Sequence, residues 1–304
     1  MGKHGDRQLI VLAAFNGLSV ASILLLVALG LAITFGLMNV INMAHGQFIM
    51  IGAYVAYVCG NLMVSLLGND GAAAGFLLAL PASFVVAGAL GWVLERALIR
   101  FLYTRPLDTL LATWGVGLIL EQAAKNIFGA PNVTVRTPAW LDGALQINDD
   151  ISLSYARLFI LGLALLALVG VYAYLYRTPA GRLVRAVTQN RAMADCLGVR
   201  TDRVDAGNFA LGTGLAGLAG AALCLLGPVG PFIGTDYIVQ AFMVVVLGGV
   251  GQLIGTVAAA ASIGALNSIL NLQLSVSIGQ ALVFAAVIAF LQLRPSGFVR
   301  LRSR

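Results

Sequence analysis

The chain has 304 residues, 60% of them hydrophobic and only 10% charged, with a mean hydropathy of +0.95; soluble domains carry about 25% charged residues. This composition excludes a soluble protein and implies a polytopic membrane protein, all-α in class, with about eight transmembrane helices, broken or re-entrant segments among them. The net charge of +6 sits in short loops between apolar runs, where basic residues set orientation and do not bind nucleic acid.

A polar start (Lys3, His4, Asp6, Arg7) leads into apolar residues 9 to 38, enough for one tilted span of about 20 residues with some left over. The run continues too far to be a cleavable signal peptide and is followed by further spans. Asn39, Asn42, His45, Gly46 and Gln47 then interrupt the apolar sequence, which resumes at Phe48. Polar, helix-breaking residues at membrane depth are tolerated only where protein buries them or a wet cavity meets them. The segment therefore reads as a broken or re-entrant helix. One crossing in 9 to 38 would put the N-terminus outside, and a re-entrant 31 to 60 would put it inside.

Residues 72 to 94 form the next span and end in a basic loop with Arg96, Arg100 and Arg105. The span from 107 to 128 follows, carrying Glu121 and Lys125 in the order that favours a helical ion pair. Residues 129 to 155 are the least apolar long stretch, with Trp140 and Tyr155 where interfacial aromatics belong, and read as the outer loop. A span from 158 to 176 returns the chain to its one long charged interruption, 177 to 203. That stretch holds six of the 18 basic residues and reads as cytoplasmic. Its centre, between Gly181 and Gly198, has Val184, Val187, Met193 and Leu197 at roughly helical spacing, as expected of a short helix whose apolar stripe docks on a partner. The alternative is a solvated loop that only orients the chain.

Residues 206 to 227 leave again, and Pro228, Gly230, Pro231 and Gly234 read as an outside turn. A short apolar helix from 237 to 247 stops at Gly248, Gly249 and Gly251; spans at 253 to 270 and 277 to 293 lead to a basic tail with Arg294, Arg300, Arg302 and Arg304. By this count 13 of the 18 basic residues share one face, and the C-terminus is cytoplasmic.

Broken segments at 36 to 47 and 248 to 255, one in each half, are the pattern of a transport path. For the glycines, tight packing explains the sequence equally well. Gly212, Thr213, Gly214 and Gly217 fit G-x-G-x-x-G but follow no strand, so Gly212, Ala216 and Gly220 read as a small-residue packing face. Cys59, Cys196 and Cys224 are odd in number and scattered, and the only histidines are His4 and His45. No metal site, hydrolase motif, cofactor or enzymatic activity is indicated.

Several stretches resemble the branched-chain amino-acid type permeases of ABC importers across essentially the whole chain: Gly36 to Gly46, Arg105 to Leu107, Gly181 to Ala186, Leu197 to Val204 and Val246 to Gly251. Leu111 to Gly115, Phe128 to Val133 with Pro138 to Leu141, Val187 to Met193 and Tyr237 to Val246 are similar to the urea-transporting branch. The resemblance implies a single permease domain, 1-304, in a bacterial inner membrane, with a second permease subunit, two cytoplasmic ATP-binding subunits and a periplasmic substrate-binding protein. This chain lacks G-x-x-x-x-G-K-[ST], so ATP hydrolysis would fall to the partners. Asn39, Asn42, His45, Gln240, Gly248, Gly249, Gly251 and Asn267 are then the expected path residues. Gly181, Arg182, Arg185, Val187, Met193, Leu197 and Gly198 are the expected coupling residues. Urea is the expected substrate, a branched-chain amino acid the alternative, and a stand-alone polar-solute channel the reading from a different class.

Overall fold

The computed structural model describes residues 2–68, 71–148, 151–271, 274–295, 297 and 298. Asp149, Asp150, Arg300, Arg302 and Arg304, and the side chains of Lys3, His4, Asp6 and Arg7, lie outside the described residues. The elements in order are α1 (Gly2–Met38), α2 (His45–Leu67), α3 (Gly71–Ala97), a 3-10 turn (Ile99–Phe101), α4 (Pro106–Phe128), β1 (Ala144–Asn148), β2 (Ile151–Ser154), α5 (Tyr155–Arg177), α6 (Pro179–Gln189), α7 (Arg191–Cys196), α8 (Thr201–Leu223), α9 (Ile233–Gly248), α10 (Leu253–Asn271) and α11 (Val276–Leu293). Among the described residues, seven helices are long and apolar enough to cross a membrane, and α9 is a shorter apolar one. The chain is an all-α, multi-pass membrane protein.

In lipid, helices associate by close packing, because tails are as apolar as leucine. The sequence provides for this in α8, whose glycines let three neighbours touch its backbone. A Cβ on Gly212 would meet Thr34 and Gly30 of α1, one on Gly214 would meet Phe84 of α3, and one on Gly220 would land on the Ile49 carbonyl of α2. One on Gly217 would fall between Ala87 and Ser83 of α3, while Gly217 in turn blocks a Cβ on Gly52 of α2. The glycine pattern at 212 to 220 is thus a packing face, as its lack of a preceding strand implied. Around it lies one continuous apolar core drawn from α1, α2, α5, α9 and α10, with Leu24, Leu29, Phe48, Ile49 and Val244 fully enclosed.

Contacts at the two ends of α1 settle which side the N-terminus is on relative to the charged loop. The Thr188 hydroxyl of α6 donates to the Leu37 carbonyl at one end. At the other, Ser268 donates to the Ala13 carbonyl and Arg157, at the start of α5, to Asn16 Oδ1. So α1 crosses once, and the re-entrant alternative for 31 to 60 is not what forms. Phe298 N donates to the Leu247 carbonyl, which brings the start of the tail to the α6–α7 end.

The outer loop contains an antiparallel hairpin, β1 with β2, that the sequence reading did not foresee. Leu145 pairs with Leu153 and Gln146 with Ser152. So short a ribbon, with few β-branched residues, carries little strand signal.

Adding one methyl group along α8 should separate close contact from open face. Gly220→Ala should lower stability by about 1–3 kcal/mol, the usual cost of overpacking, whereas Gly207→Ala, with nothing within 4 Å of its Cβ, should not. Thermal melting of the detergent-solubilised protein, read as the surviving monodisperse fraction, measures the difference.

Candidate functional site

The path of residues 39 to 44 is set by what can satisfy a backbone that has left its helix inside a membrane. At the foot of α1, Asn39 takes φ +55, a left-handed conformation that asparagine tolerates better than most residues. Six non-helical residues then climb beside α4. Met43 N donates to the Thr113 hydroxyl at 3.1 Å, and that hydroxyl lies 3.4 Å from the Ile41 carbonyl. Ala44 N donates to Asn42 Oδ1 at 3.0 Å, so the buried Asn42 holds the turn into α2.

Three successive residues of α2 then reach three different helices, as a turn of 100° per residue allows. His45 is fully buried, and its Nε2 donates to the Val27 carbonyl of α1 at 3.2 Å, leaving Nδ1 without a partner among the described residues. Gly46 lies against Gly234 of α9, each sitting where the other's Cβ would be. Gln47 reaches α4, its Oε1 3.2 Å from where a Cβ on Gly117 would stand. His45 thus meets α1 at Gly30 and Val27, 8 and 11 residues above its foot at Met38, which is about 12–16 Å at 1.5 Å per residue. The helix starts in the interior of the membrane.

The chain does break after Gly248, as expected, with α10 starting at Leu253, and a further helix start lies at the other end of α9. The chain leaves α8 at Leu223, and the segment with Pro228, Gly230, Pro231 and Gly234, read as an outside turn, first touches the outer loop through a two-way backbone bridge between Val229 and Val133. It then leads back inward, so that α9 begins at Ile233, four residues earlier than expected, with Gly234 against Gly46. Two helix N-termini meet there, their positive dipole ends in one place. Gly248, Gly249 and Gly251 serve a tight turn at the other end of α9. Gly249 and Gly251 have φ of +95 and +81, Gly251 packs on Gly36 of α1, and Gly248 and Gly255 are in mutual backbone contact.

The eight expected path residues therefore do not form one cluster. Asn42 and His45 stand at the α2 start and the half-buried Gln240 on α9. Exposed Asn39 and the three glycines sit at the foot, and Asn267, accepting from Asn271 Nδ2 beside the Ser268–Ala13 contact, belongs to the opposite end.

The charged loop forms two helices where one was expected. Asn190 leaves helical geometry and its Oδ1 accepts from Met193 N, capping α7. The expected stripe is divided as a result: Val184 and Val187 face inward and are buried, while Met193 and Leu197 are 57% and 77% exposed. Gly181 is pressed against the carbonyls of Tyr174 and Leu175, Arg185 donates to the Leu175 carbonyl, Arg182 is exposed, and Gly198 (φ +83) ends the unit.

A cluster that sequence reasoning missed ties this unit to the bundle. Arg191 Nη1 lies 2.6 Å from Asp205 Oδ2 on α8, its Nη2 3.6 Å from Asp202, and its guanidinium 4.6 Å over the Tyr103 ring. The Tyr103 hydroxyl donates to the buried Glu95 of α3 at 2.7 Å. Burial, with the nearby Asp205 and Glu95 carboxylates adding to it, holds that phenol well above its ordinary pKa, so it remains a donor. The available signal was two carboxylates, Glu95 and Asp205, beside basic residues at the ends of two helices that are otherwise long apolar spans.

Residues 13–291 match the family described as branched-chain amino acid transport system, permease component. The high-affinity branched-chain amino acid transport system permease protein LivH of Salmonella typhimurium is 29% identical over 294 residues, 94% of each chain. BraD of Pseudomonas aeruginosa, a permease protein of the same description, is 28% identical over 290 residues. The ribose import permease RbsC of Bacillus subtilis is 36% identical over 114 residues, 35% of each chain. No solved structure matches.

Replacing Arg191 with methionine should loosen α7 by about 1–2 kcal/mol, less than the 3–5 of a fully buried pair because the arginine side chain is 38% exposed. Hydrogen exchange across residues 190 to 199 should speed up about tenfold, with the rest of the bundle unchanged.

Proposed function

The chain belongs to the branched-chain amino acid transport system permease family, and on that premise we propose that it is a permease subunit of an ABC importer for branched-chain amino acids. The observation that carries this reading is a match over nearly the whole chain to the family and to permeases of that name. The expectation of urea finds no support in these relatives and gives way to its alternative. Like its relatives, the chain is a permease and not an enzyme.

In this reading residues 1–304 form one permease domain in a bacterial inner membrane. A second permease subunit, cytoplasmic ATPases and a periplasmic binding protein complete the machine. Loop 129–155 faces the binding protein, and α6 and α7 face the ATPases with the C-terminus on their side. The path runs past the α2–α9 junction, with Asn42 and Gln240 near it. His45, turned toward α1, positions the junction. Large apolar side chains left in water are costly at roughly 25 cal/mol per Å², so the exposed Met193 and Leu197 are the natural contact for an ATPase.

Two experiments test the reading. The reconstituted importer should accumulate labelled leucine and not labelled urea, and the reverse would refute the substrate assignment. Replacing Met193 and Leu197 together by serine leaves every arginine in place and should preserve insertion while lowering ATP-driven uptake about tenfold or more. Wild-type uptake by that double variant would reduce this segment to an orientation signal.

A further inference from the structure

Charged side chains at membrane depth are costly toward lipid and normally meet each other, a wet cavity or a substrate. Three of them lie on two elements, Glu121 and Lys125 toward the end of α4 and Asp236 in the first turn of α9. On α4, 23 residues long but not among the seven helices apolar enough to cross by composition, Lys125 Nζ lies 2.7 Å from Glu121 Oε1. Counting from Pro106 at the α6–α7 end, these residues are about 22 and 28 Å up the helix at 1.5 Å per residue, within or at the edge of a core about 30 Å thick. Lys125 Nζ also lies 4.1 Å from the centroid of the Phe232 ring, at the residue that caps α9.

Asp236 stands one turn beyond Phe232, on the same face of α9, since residues four apart are neighbours on a helix. It is exposed and makes no ion pair among the described residues; Thr235 beside it is exposed, and Gln240 one turn further on is half-buried. Counted from Gly248, Asp236 is about 18 Å above the foot of α9, near mid-membrane. In water, the helix dipole alone would account for a first-turn aspartate. Exposed at this depth, it calls for a polar neighbour, and no ion pair among the described residues supplies one. The outward face of α4 adds Gln122, whose amide donates to Asn126.

We propose that this face, Asp236 with Thr235 and Gln240 on α9 opposite the Glu121–Lys125 pair on α4, is a membrane-depth binding site for a zwitterionic amino acid. Asp236 receives the ammonium group, and Lys125 turns from Glu121 to the carboxylate. The exposed Phe232 ring between them offers an apolar surface. The proposal rests on the amino-acid permease reading and adds to it the residues that recognise the charged ends.

The test uses the whole importer in proteoliposomes, supplied with leucine-loaded binding protein. Asp236→Asn and Lys125→Gln should each lower labelled-leucine uptake by about tenfold or more, the scale of one lost charge-assisted contact, while copurifying normally with the other subunits. A readout independent of transport uses a background with Cys59, Cys196 and Cys224 replaced by serine. There, Thr235→Cys should react with a charged, membrane-impermeant thiol reagent and be protected by leucine-loaded binding protein with ATP, and Ile288→Cys, exposed on α11, should not react. Wild-type leucine uptake by both charge variants, or a residue 235 thiol as inert as that at 288, overturns the site. Failure of the unmodified importer to take up leucine overturns the substrate reading instead, and the thiol pattern then still decides whether this face is aqueous.

Discussion

A backbone that leaves its helix inside a membrane must find a partner for every N–H and C=O within the protein. Much of this structure follows from meeting that demand at residues 39 to 45. Thr113 of α4 takes Met43 N, Asn42 takes Ala44 N, and His45 donates to the Val27 carbonyl of α1. These bonds hold the first turn of α2 between α1, α4 and α9. Gly46 and Gly234, lacking side chains, then let the second interior helix start approach to backbone contact. The result is a polar, dipole-bearing junction in apolar surroundings, a place where a polar solute could exchange its hydration for protein contacts.

The same small-residue logic joins this junction to the charged end of the bundle. Through its glycines, α8 touches α1, α2 and α3, and its first turn carries Asp202 and Asp205, both paired with Arg191 of α7. Arg191 also covers Tyr103, which holds Glu95 at the end of α3. A displacement of α7 would therefore be felt by α3 and α8 together, the two helices against which α2 packs most extensively. Under the proposed function, this chain of contacts is the route by which an ATPase docked on α7 would act on the α2 start.

The break after α1 was legible in the sequence because asparagine, histidine and glycine within an apolar run are too costly to leave facing lipid on a continuous helix. The start of α9 was not. Pro228, Gly230 and Pro231 announce a turn, but only the Val229–Val133 bridge and the Gly46–Gly234 contact show that the chain turns back into the membrane. With that depth unknown, the turn at 228 to 234 read as lying outside, and Glu121 with Lys125 as a helical ion pair. The amphipathic pattern of 181 to 198 was equally clear, yet periodicity does not say which way a stripe faces. Val184 and Val187 turned inward, and Asn190 broke the helix before Met193 and Leu197, which point out. Asn267 and the glycines at 248 to 251 were grouped with Asn42 and His45 on residue type alone, and tertiary contacts place them at other points of the bundle.

The most direct measurement is a density map, by electron cryo-microscopy in a lipid nanodisc, of the assembled importer trapped with leucine. The account predicts α9 beginning beside Gly46 in the membrane interior, with ligand density between the first turn of α9 and the Glu121–Lys125 face of α4. A map in which that turn of α9 faces lipid, or is sealed against another helix with no space for a solute, would contradict it.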